Sequence, residues 1–453
     1  LEAKLREAKV QANLNVVKPG GVVSLGKSFK VEFVNVSHSI AGSCALSINT
    51  PLGLIFHTGD FKVDFTPVKG NIIDLNRIAE LGNEGVLLLM CESTNIERAG
   101  FSLSESAVGK SINAILQDNT ESRVFITTFA SNVHRLQQLV DLAEKYKRKV
   151  VFAGRSMLNI VDVALSIGEF RINKDIMVDV DDINKYADKE LMIITTGSQG
   201  EPMAGLTRMA YSEHRKLQIR QSDTVIISAT PIPGNEKSVT KIVNGLLLLG
   251  AEVIYEGMYD VHVSGHACQE ELKIIHALTK PRFFIPLHGE QRMLQIHKRV
   301  AESMGMDPNN ICVAENGSVI ELTTKHMKCE ASVPAGEVFV DGSGVGDVGA
   351  VVLNDRKLLA EDGMVVIVLP MSSHDHQLLC QPEIVTRGFV YVKESEELLQ
   401  ELRDIAQNAV DGMSARRRKD QGEVCKTVRA AVSSYLFKHT KRSPMVIPMV
   451  TML

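Results

Sequence analysis

The chain has 453 residues, of which 44% are hydrophobic and 23% are charged, and its formal net charge is −4. This length predicts two to three domains, and the composition is typical of a soluble globular protein. No apolar run approaches the roughly 18 residues that a transmembrane helix needs, and the start of the chain lacks a signal-peptide pattern. We therefore expect a cytoplasmic protein without membrane contact that does not coat nucleic acid by bulk positive charge.

The seven cysteines are scattered and odd in number, and none forms a Cys-x-x-Cys pair. This pattern indicates neither a disulfide framework nor a cysteine zinc site. It is typical of small buried hydrophobic residues in a reducing compartment.

The first hundred residues alternate short apolar strands with turns. We predict strands at 31–36, 45–48, 54–57 and 86–90, and a helix at 71–81.

From about residue 104 the chain alternates helices with strands. The predicted helices are 107–117, 130–146, 156–167, 203–211 and 235–249. The predicted strands are 124–127, 150–152, 191–195, 224–228 and 252–255. This alternation predicts a parallel α/β sheet with crossover helices.

The rest of the chain begins with a predicted helix at 270–278, a strand at 282–286 and a helix at 291–304. A β-rich stretch is predicted from there to about residue 370. The tail combines a predicted strand at 389–392 with helices at 396–410 and 422–440, which indicates a small α+β domain.

Five short segments place histidine or carboxylate beside small residues directly after predicted strands. They are Val36–Ser39 (VSHS), His57–Asp60 (HTGD), Cys91–Asn95 (CESTN), His262–His266 (HVSGH) and Pro286–Glu290 (PLHGE). Ligands bind at the carboxyl ends of strands in α/β sheets, and imidazole and carboxylate are ligands for zinc or manganese. Each segment alone is weak evidence, but the ordered set is far more specific.

The order and spacing of these segments resemble the metallo-β-lactamase fold with an inserted β-CASP domain. Within that class the chain resembles bacterial ribonuclease J. The stretches that carry this resemblance are HTGDFKVDFTPV (57–68), TFASNVHRLQQ (128–138), TTGSQGEPM (195–203), SATPIPGNE (228–236), DVHVSGHACQEE (260–271), VPAGEVFVDGSGVGDVG (333–349) and RGFVYVKES (387–395).

The resemblance implies a metallo-β-lactamase αββα sandwich that is incomplete at its N-terminus. It implies an inserted parallel α/β β-CASP domain and a small α+β C-terminal domain. The expected boundaries are 1–105 and 271–350 for the sandwich, 106–270 for the insertion, 351–380 for a linker and 381–453 for the C-terminal domain.

The resemblance also implies a metal-dependent ribonuclease acting as a 5′→3′ exonuclease on 5′-monophosphate RNA and possibly as an endonuclease. Two divalent metal ions, expected to be zinc with manganese or magnesium as alternatives, would be held by His38, Asp60 and His288. Asp60 would bridge the two ions. His266 would be the general acid, and Glu92 would orient it.

His262, Ser264 and Gly265 resemble the family's pocket for a 5′-terminal monophosphate. The implied partners are RNA and further subunits, as a homodimer or homotetramer through the C-terminal domain or with a paralogous subunit.

One departure from the family is serious. Its His-x-His-x-Asp-His motif supplies most metal ligands, and residues 1–37 contain no histidine. Residue 1 is not methionine, so we expect this motif to lie upstream of it. Without the motif, two ligands per ion predict weak or absent metal, since a catalytic zinc usually has about three.

Two other functions stay open: a non-catalytic partner subunit or inactive fragment, and a different hydrolase of this fold that acts on DNA or a small ester. Three further patterns have simpler interpretations. The spacing Gly344-x-Gly346-x-x-Gly349 fits a dinucleotide fingerprint, but β-type sequence follows it, so we interpret it as a turn. We interpret His374–His376 as a solvated turn and the basic run Arg416–Lys419 as a solvated connector.

Overall fold

The computed structural model describes residues 1–201, 204–232, 234–342, 344–346, 348–389 and 396–453. The chain divides into two compact units, Leu1–Pro334 and Ala335–Leu453, which we call unit 1 and unit 2. Among the described residues no helix is long and apolar enough to span a bilayer.

Unit 1 contains thirteen strands and nine α-helices in its described residues. The strands are β1 Val22–Leu25, β2 Phe29–Asn35, β3 Cys44–Thr50, β4 Gly53–His57, β5 Val86–Glu92, β6 Val124–Thr127, β7 Lys149–Ala153, β8 Leu191–Thr195, β9 Thr224–Ile227, β10 Glu252–Ile254, β11 Phe283–Leu287, β12 Ser318–Leu322 and β13 Met327–Ser332. The helices are α1 Glu2–Glu7, α2 Leu75–Glu84, α3 Glu105–Asp118, α4 Val133–Lys145, α5 Arg155–Ser166, α6 Gly205–Ala210, α7 Glu236–Leu248, α8 Gln269–Thr279 and α9 Gln291–Ser303.

The first sheet of unit 1 has the strand order β1-β2-β3-β4-β5-β11. Strands β1 to β4 are antiparallel neighbours, whereas β4, β5 and β11 run parallel. Helices α2, α8 and α9 cover one face, and the antiparallel hairpin β12–β13 packs on Leu88 and Phe283 of the other. Because both faces are covered, β5 is a continuous apolar run and not an alternating one.

The second sheet of unit 1 is entirely parallel, with the order β10-β9-β6-β8-β7. Helices α3, α4 and α5 contribute to the core on one face, and α6 and α7 contribute to the core on the other. Every residue of β6, β8 and β9 is buried, as expected for a sheet between two helical layers. The predicted parallel α/β sheet is confirmed.

Glu271 of α8 is a fully buried carboxylate that joins three segments of unit 1. Its Oε1 accepts hydrogen bonds from the Val63 N–H at 2.7 Å and the Ser102 hydroxyl at 2.8 Å. Its Oε2 accepts from the backbone N–H groups of Ser102 and Cys268, both at 2.7 Å. Four donors compensate the cost of removing the charge from water.

We expect Glu271→Ala to lower the free energy of unfolding of unit 1 by about 3 kcal/mol or more, because buried donors lose their acceptor. Urea unfolding followed by circular dichroism measures this change. The matched control is Glu270→Ala, which removes the partly exposed ion pair with Lys273 and should cost about 0.5 kcal/mol or less. Equal, small effects of the two substitutions would contradict the assignment of Glu271.

Unit 2 contains five strands and four α-helices in its described residues. The strands are β14 Val340–Asp341, β15 Gly344–Val345, β16 Met364–Met371, β17 Glu383–Arg387 and β18 Met445–Met452, and the helices are α10 Ala350–Glu361, α11 Glu396–Asp411, α12 Ala415–Arg418 and α13 Gln421–Thr440. The last three strands form one sheet. Strand β16 is central, antiparallel to β17 and parallel to β18. Residues of α11 and α13 complete the core of unit 2.

Two expectations for residues 350–380 differ from the structure. The sequence following Gly349 was expected to be β-type, but it forms the helix α10. Val351 and Val352 favour a strand locally, whereas the following NDRKLLAE favours a helix. The stretch expected to be a linker, 351–380, contains α10 and the central strand β16, whose alternate residues are buried in the core of unit 2.

The remaining patterns of the tail are placed as follows. Strand β15 pairs antiparallel with the two-residue β14, so Gly344 and Gly346 do not belong to a βαβ unit. The segment His374–His376 lies in the turn between β16 and β17, and the basic run 416–419 lies at α12 between two longer helices. The predicted strand 389–392 lies outside the described residues except for Phe389, and so does Met203 of the predicted helix 203–211.

Candidate functional site

The first sheet of unit 1 brings chemically active side chains to one edge. Strands β2, β4, β5 and β11 run in the same direction, because β2 and β4 are both antiparallel to β3. His38 follows β2, Asp60 follows β4, Glu92 ends β5 and His288 follows β11. Since the carboxyl ends of these strands share an edge, residues up to 250 positions apart in sequence (288 − 38 = 250) lie close together.

Asp60, Glu92, His266 and His288 form one cluster. One side-chain ligand atom of each lies within 4.8 Å of the others. His38 lies beside this cluster, with its ring centroid 5.0 Å from that of His266. The structure therefore brings all five residues that we expected around the metal ions into one place.

Glu92 and His266 form a hydrogen-bonded pair in which the carboxylate is buried and the imidazole is partly exposed. Glu92 is 2% exposed, and its Oε2 lies 2.8 Å from His266 Nδ1. Its other oxygen, Oε1, accepts a hydrogen bond from the Phe61 N–H at 2.8 Å. Burial lowers the pKa of His266, but the hydrogen bond to Glu92 and the charges of Glu92 and Asp60 outweigh it, so the net shift is upward. The pair therefore favours an imidazolium whose Nε2–H is left for another acceptor.

Asp60 and His288 are the more accessible members of the cluster. His288 Nδ1 lies 3.1 Å from Asp60 Oδ1 and 3.1 Å from the Thr94 hydroxyl. The side chains of His288 and Asp60 are 57% and 40% exposed, in contrast to Glu92. His288 has a left-handed backbone with φ of +61°, which an L-residue rarely adopts without tertiary support.

His38 is held as a neutral ring. Its Nδ1 lies 2.7 Å from the Gly265 carbonyl, which can only accept, so Nδ1 carries the proton and Nε2 keeps its lone pair. Burial is the main cause that lowers the pKa of His38, and repulsion from His266 adds to it. A neutral imidazole with one nitrogen fixed by a carbonyl is the form that binds a metal ion.

His262, Ser264 and Gly265 line a cavity of about 420 Å³ together with His38, Asp60 and His266. The Ser264 hydroxyl accepts hydrogen bonds from Asn95 Nδ2 at 2.8 Å and from the His266 N–H at 3.2 Å. Burial and the Arg135 charge lower the pKa of His262 to about 3, so this ring is neutral at pH 7. The residues expected to bind substrate therefore share one cavity with His38, Asp60 and His266.

The comparisons with known proteins agree with this geometry. Residues 121–246 match the family model "Ribonuclease J, beta-CASP domain", and 351–453 match "Ribonuclease J C-terminal domain". Residues 250–312, which include His262, His266 and His288, match "Zn-dependent metallo-hydrolase RNA specificity domain".

Curated relatives match nearly the whole chain. Ribonuclease J of Thermus thermophilus is 41% identical over 453 residues, which are 99% of this chain and 77% of that protein. Ribonuclease J2 of Bacillus subtilis (strain 168) is 41% identical over 94% of this chain and 76% of its own length. Ribonuclease J of Synechocystis is 43% identical over 89% of this chain and 62% of its own length.

The chain belongs to the ribonuclease J family. This confirms the family and the fold class expected from the motifs.

Gly265 of this ribonuclease J chain has a packing role that the motif did not reveal. A Cβ on Gly265 would lie 2.7 Å from Ser39 Oγ and 2.8 Å from His38 Nδ1, which is closer than real Cβ atoms approach. The close approach lets the Gly265 carbonyl accept from His38. The glycine therefore links the expected phosphate loop to an expected metal ligand.

Asn95 and Arg135 were missed as positioning residues, although both lie in motifs that carry the resemblance. Asn95 Nδ2 donates to the Ser264 hydroxyl and, at 3.0 Å, to the His266 carbonyl. Arg135 is fully buried and is held by Glu105, with Nε to Oε1 at 2.6 Å. Its Nη1 donates to His262 Nδ1 at 3.0 Å, which fixes the proton of His262 on Nε2. The signal available in the sequence was that both polar residues lie inside motifs that carry the resemblance.

The donor set of this ribonuclease J protein fits a divalent cation. Asp60 offers an accessible carboxylate, and His38 and His288 offer imidazoles in the same cluster region. Both Glu92 oxygens already have hydrogen-bond partners, so Glu92 supports His266 instead of serving as a free ligand. Carboxylate oxygen with imidazole nitrogen suits zinc or manganese.

We expect Asn95→Asp to loosen the loop His262–His266, because carboxylate oxygens would face the Ser264 hydroxyl and the His266 carbonyl in place of a donor. Hydrogen exchange of amides in this loop should become about tenfold faster, since roughly 1.4 kcal/mol of local stability is lost. Mass spectrometry of peptides that cover the loop measures this rate. Asn244→Asp, an exposed position on α7, is the matched control. An unchanged rate in Asn95→Asp would show that Asn95 does not hold the loop.

Proposed function

We propose that this protein is a metal-dependent ribonuclease that hydrolyses RNA phosphodiester bonds, removing nucleotides 5′→3′ from 5′-monophosphate RNA and also cutting internally. The observation that carries the proposal is the hydrogen bond between Glu92 and His266, because His266 lines the same cavity as Asp60 and the 262–265 loop. The similarity to ribonuclease J proteins and to a metallo-hydrolase RNA specificity domain supports ribonuclease activity.

His266 is proposed as the general acid. Its Nδ1 is bonded to Glu92, so the Nε2–H is the proton that it can deliver to the leaving 3′-oxygen. Glu92 holds the ring in this orientation and stabilises its charge. The carboxylate can do so because burial excludes water from the bond, while the Phe61 N–H satisfies its second oxygen.

Asp60, His288 and His38 are proposed to hold the metal ions, which we propose to be two zinc ions, with manganese or magnesium as alternatives. Such cations activate water and neutralise charge on phosphoryl oxygens. The hydrogen bond from His38 Nδ1 to the Gly265 carbonyl leaves Nε2 as the ligand nitrogen. Asp60 lines the substrate cavity, and His288, which is 57% exposed, lies beside Asp60 within hydrogen-bond distance.

His262, Ser264 and Gly265 are proposed to bind the 5′-terminal phosphate. His262 accepts from Arg135 at Nδ1, so its proton lies on Nε2, and this N–H is the group proposed to donate to a phosphate oxygen. Because the ring is neutral, this donation is a directional hydrogen bond without added positive charge. A fixed distance between this loop and Asp60 would place the cut one nucleotide from the end.

The alternative of a non-catalytic partner subunit or inactive fragment is not favoured. Asp60, Glu92, His266 and His288 form a cluster with the hydrogen bonds that the proposed chemistry needs. A hydrolase acting on a small ester is also less consistent with the match of 250–312 to an RNA specificity domain.

Oligomerisation through the C-terminal unit is also proposed. Val351 on helix α10 is 74% exposed and Val352 is 40% exposed, and both would be removed from water if this helix packed against another subunit. Light scattering of the purified protein determines the subunit number, and a monomer at all concentrations would contradict a dimer or tetramer.

In a protein that also carries the His-x-His-x-Asp-His motif, we expect His266→Ala to reduce RNA cleavage by roughly 10²-fold or more, because the leaving oxygen loses its proton donor. Metal content, measured by atomic emission on the same preparations, should stay unchanged because the proposed ligands are intact. His326→Ala removes an exposed histidine of β-hairpin β12–β13 and serves as the control. Near-normal turnover of His266→Ala would remove His266 from the mechanism.

We expect wild-type protein to degrade 5′-monophosphate RNA at least about tenfold faster than 5′-triphosphate RNA of the same sequence, because the larger terminus does not fit a site that binds one phosphate. Denaturing gels of end-labelled RNA measure both rates. A chelator should abolish both reactions, and restoring zinc, manganese or magnesium separately identifies the active ion. Cleavage that survives chelation would refute metal dependence.

A further inference from the structure

A second and larger cavity lies on the parallel sheet of unit 1. Its volume is about 860 Å³, and it opens where strands β6, β7 and β8 end. Thr128 follows β6, Gly154 and Arg155 follow β7, and Ser198 follows β8. The carboxyl edge of a parallel sheet between two helical layers is the usual place for a ligand. No role described above uses this cavity, which we call the sheet-edge cavity.

The lining of the sheet-edge cavity suits an anion. Arg155 is exposed and makes no hydrogen bond or ion pair with described residues, so its guanidinium is available. Arg208 is half-buried and anchored by a hydrogen bond from Nη2 to the Glu213 carbonyl at 3.2 Å. His214 Nδ1 accepts from the Leu217 N–H at 3.0 Å, which leaves Nε2 as a donor. Glu201 is the acidic residue among the described lining residues.

Two further donors in the sheet-edge cavity lack a protein partner. Helix α5 has twelve residues and begins after Gly154, whose φ is +110° and which provides no side-chain cap for the first N–H groups. Thr128 is 1% exposed, lines the cavity, and its Oγ1 has no hydrogen-bond partner among the described residues. The Thr128 hydroxyl and the first N–H groups of α5 are therefore available to a group that enters the sheet-edge cavity.

The sheet-edge cavity meets the cavity of the candidate site at Phe129. This residue lines both cavities, and its ring centroid lies 6.4 Å from that of His262. A polymer whose phosphate lies at His262–Gly265 can therefore continue past Phe129 towards Arg155 and Arg208. An aromatic ring between two anion-binding regions is the arrangement that single-stranded nucleic acid uses, with a base on the ring and phosphates on either side.

We propose that the sheet-edge cavity binds the backbone of single-stranded RNA on the 5′ side of the nucleotide held at His262–Gly265. The proposal rests on the proposed ribonuclease function and extends it to internal cutting. RNA with a free 5′-monophosphate ends at the 262–265 loop and leaves the sheet-edge cavity unused. RNA that is cut internally has nucleotides upstream of that loop, and Arg155, Arg208 and the start of α5 hold their phosphates.

The test compares two substrates in the double variant Arg155→Ala/Arg208→Ala. A circular single-stranded RNA has no end, so its cleavage requires nucleotides upstream of the 262–265 loop. A short linear RNA with a 5′-monophosphate has none. The ratio of kcat/KM for circular to linear RNA should fall at least about tenfold in the variant, because two phosphate contacts are lost.

The matched control is the double variant Arg171→Ala/Lys174→Ala, which removes two exposed basic residues of unit 1 that do not line the sheet-edge cavity. This control removes the same charge, so its ratio should equal that of the wild type. A ratio that is unchanged in both variants, or that falls equally in both, would overturn the proposal. Melting curves of both variants establish that the fold is intact.

Binding without cleavage separates this proposal from the ribonuclease function. In chelator, fluorescence anisotropy of the circular RNA should show about tenfold weaker binding to Arg155→Ala/Arg208→Ala than to the control. The slope of log affinity against log salt should be about 1.4 smaller, at roughly 0.7 per lost phosphate contact. If the wild-type protein cleaves neither RNA, the proposed ribonuclease function is wrong. The difference in RNA binding between the variant and the control still tests whether the sheet-edge cavity binds RNA. Saturable binding of uridine monophosphate that requires Arg155 and Arg208 would instead assign the cavity to a free nucleotide.

Discussion

The site depends on the cost of burying a carboxylate. Glu92 is almost completely removed from water, and its charge is stable there because one oxygen accepts from the Phe61 N–H and the other from His266. Because both oxygens need these partners, the end of β5, the turn after β4 and the loop His262–His266 must occupy fixed positions. Two other buried carboxylates fix segments around the loop His262–His266 in the same way. Glu105 holds Arg135, and Glu271 accepts hydrogen bonds from four donors.

The resulting arrangement separates two kinds of group. The buried groups Glu92, Asn95 and Arg135 orient histidines and loops, and their partners satisfy them within the protein. The accessible groups Asp60 and His288 keep capacity for an external ligand. In a ribonuclease this separation lets the substrate's phosphates meet prealigned donors, so little reorganisation is needed during the reaction.

Much of the fold was predictable because local pattern and tertiary environment agree. Strands β6, β8 and β9 are apolar except for one threonine at an end of each, which is the pattern for a sheet covered on both faces, and the helices between them have one apolar side. Prediction failed at α10, where Val351 and Val352 are exposed and no core pattern marks the helix. Strand β16 agrees with the β-rich stretch expected up to about residue 370, but a linker was expected at 351–380, because the central place of β16 depends on pairing with β18 about 80 positions away.

The sequence by itself determined the family, the motifs and the identities of the five clustered residues, because an ordered set of short motifs is improbable without a common fold. Only the tertiary structure decided which residue supports which. Arg135 lies 127 positions before His262, and Gly265 lies 227 positions after His38, yet each pair is in direct contact. Hydrogen bonds between such distant residues follow from how the strands and loops meet in space, which no local pattern of residues records.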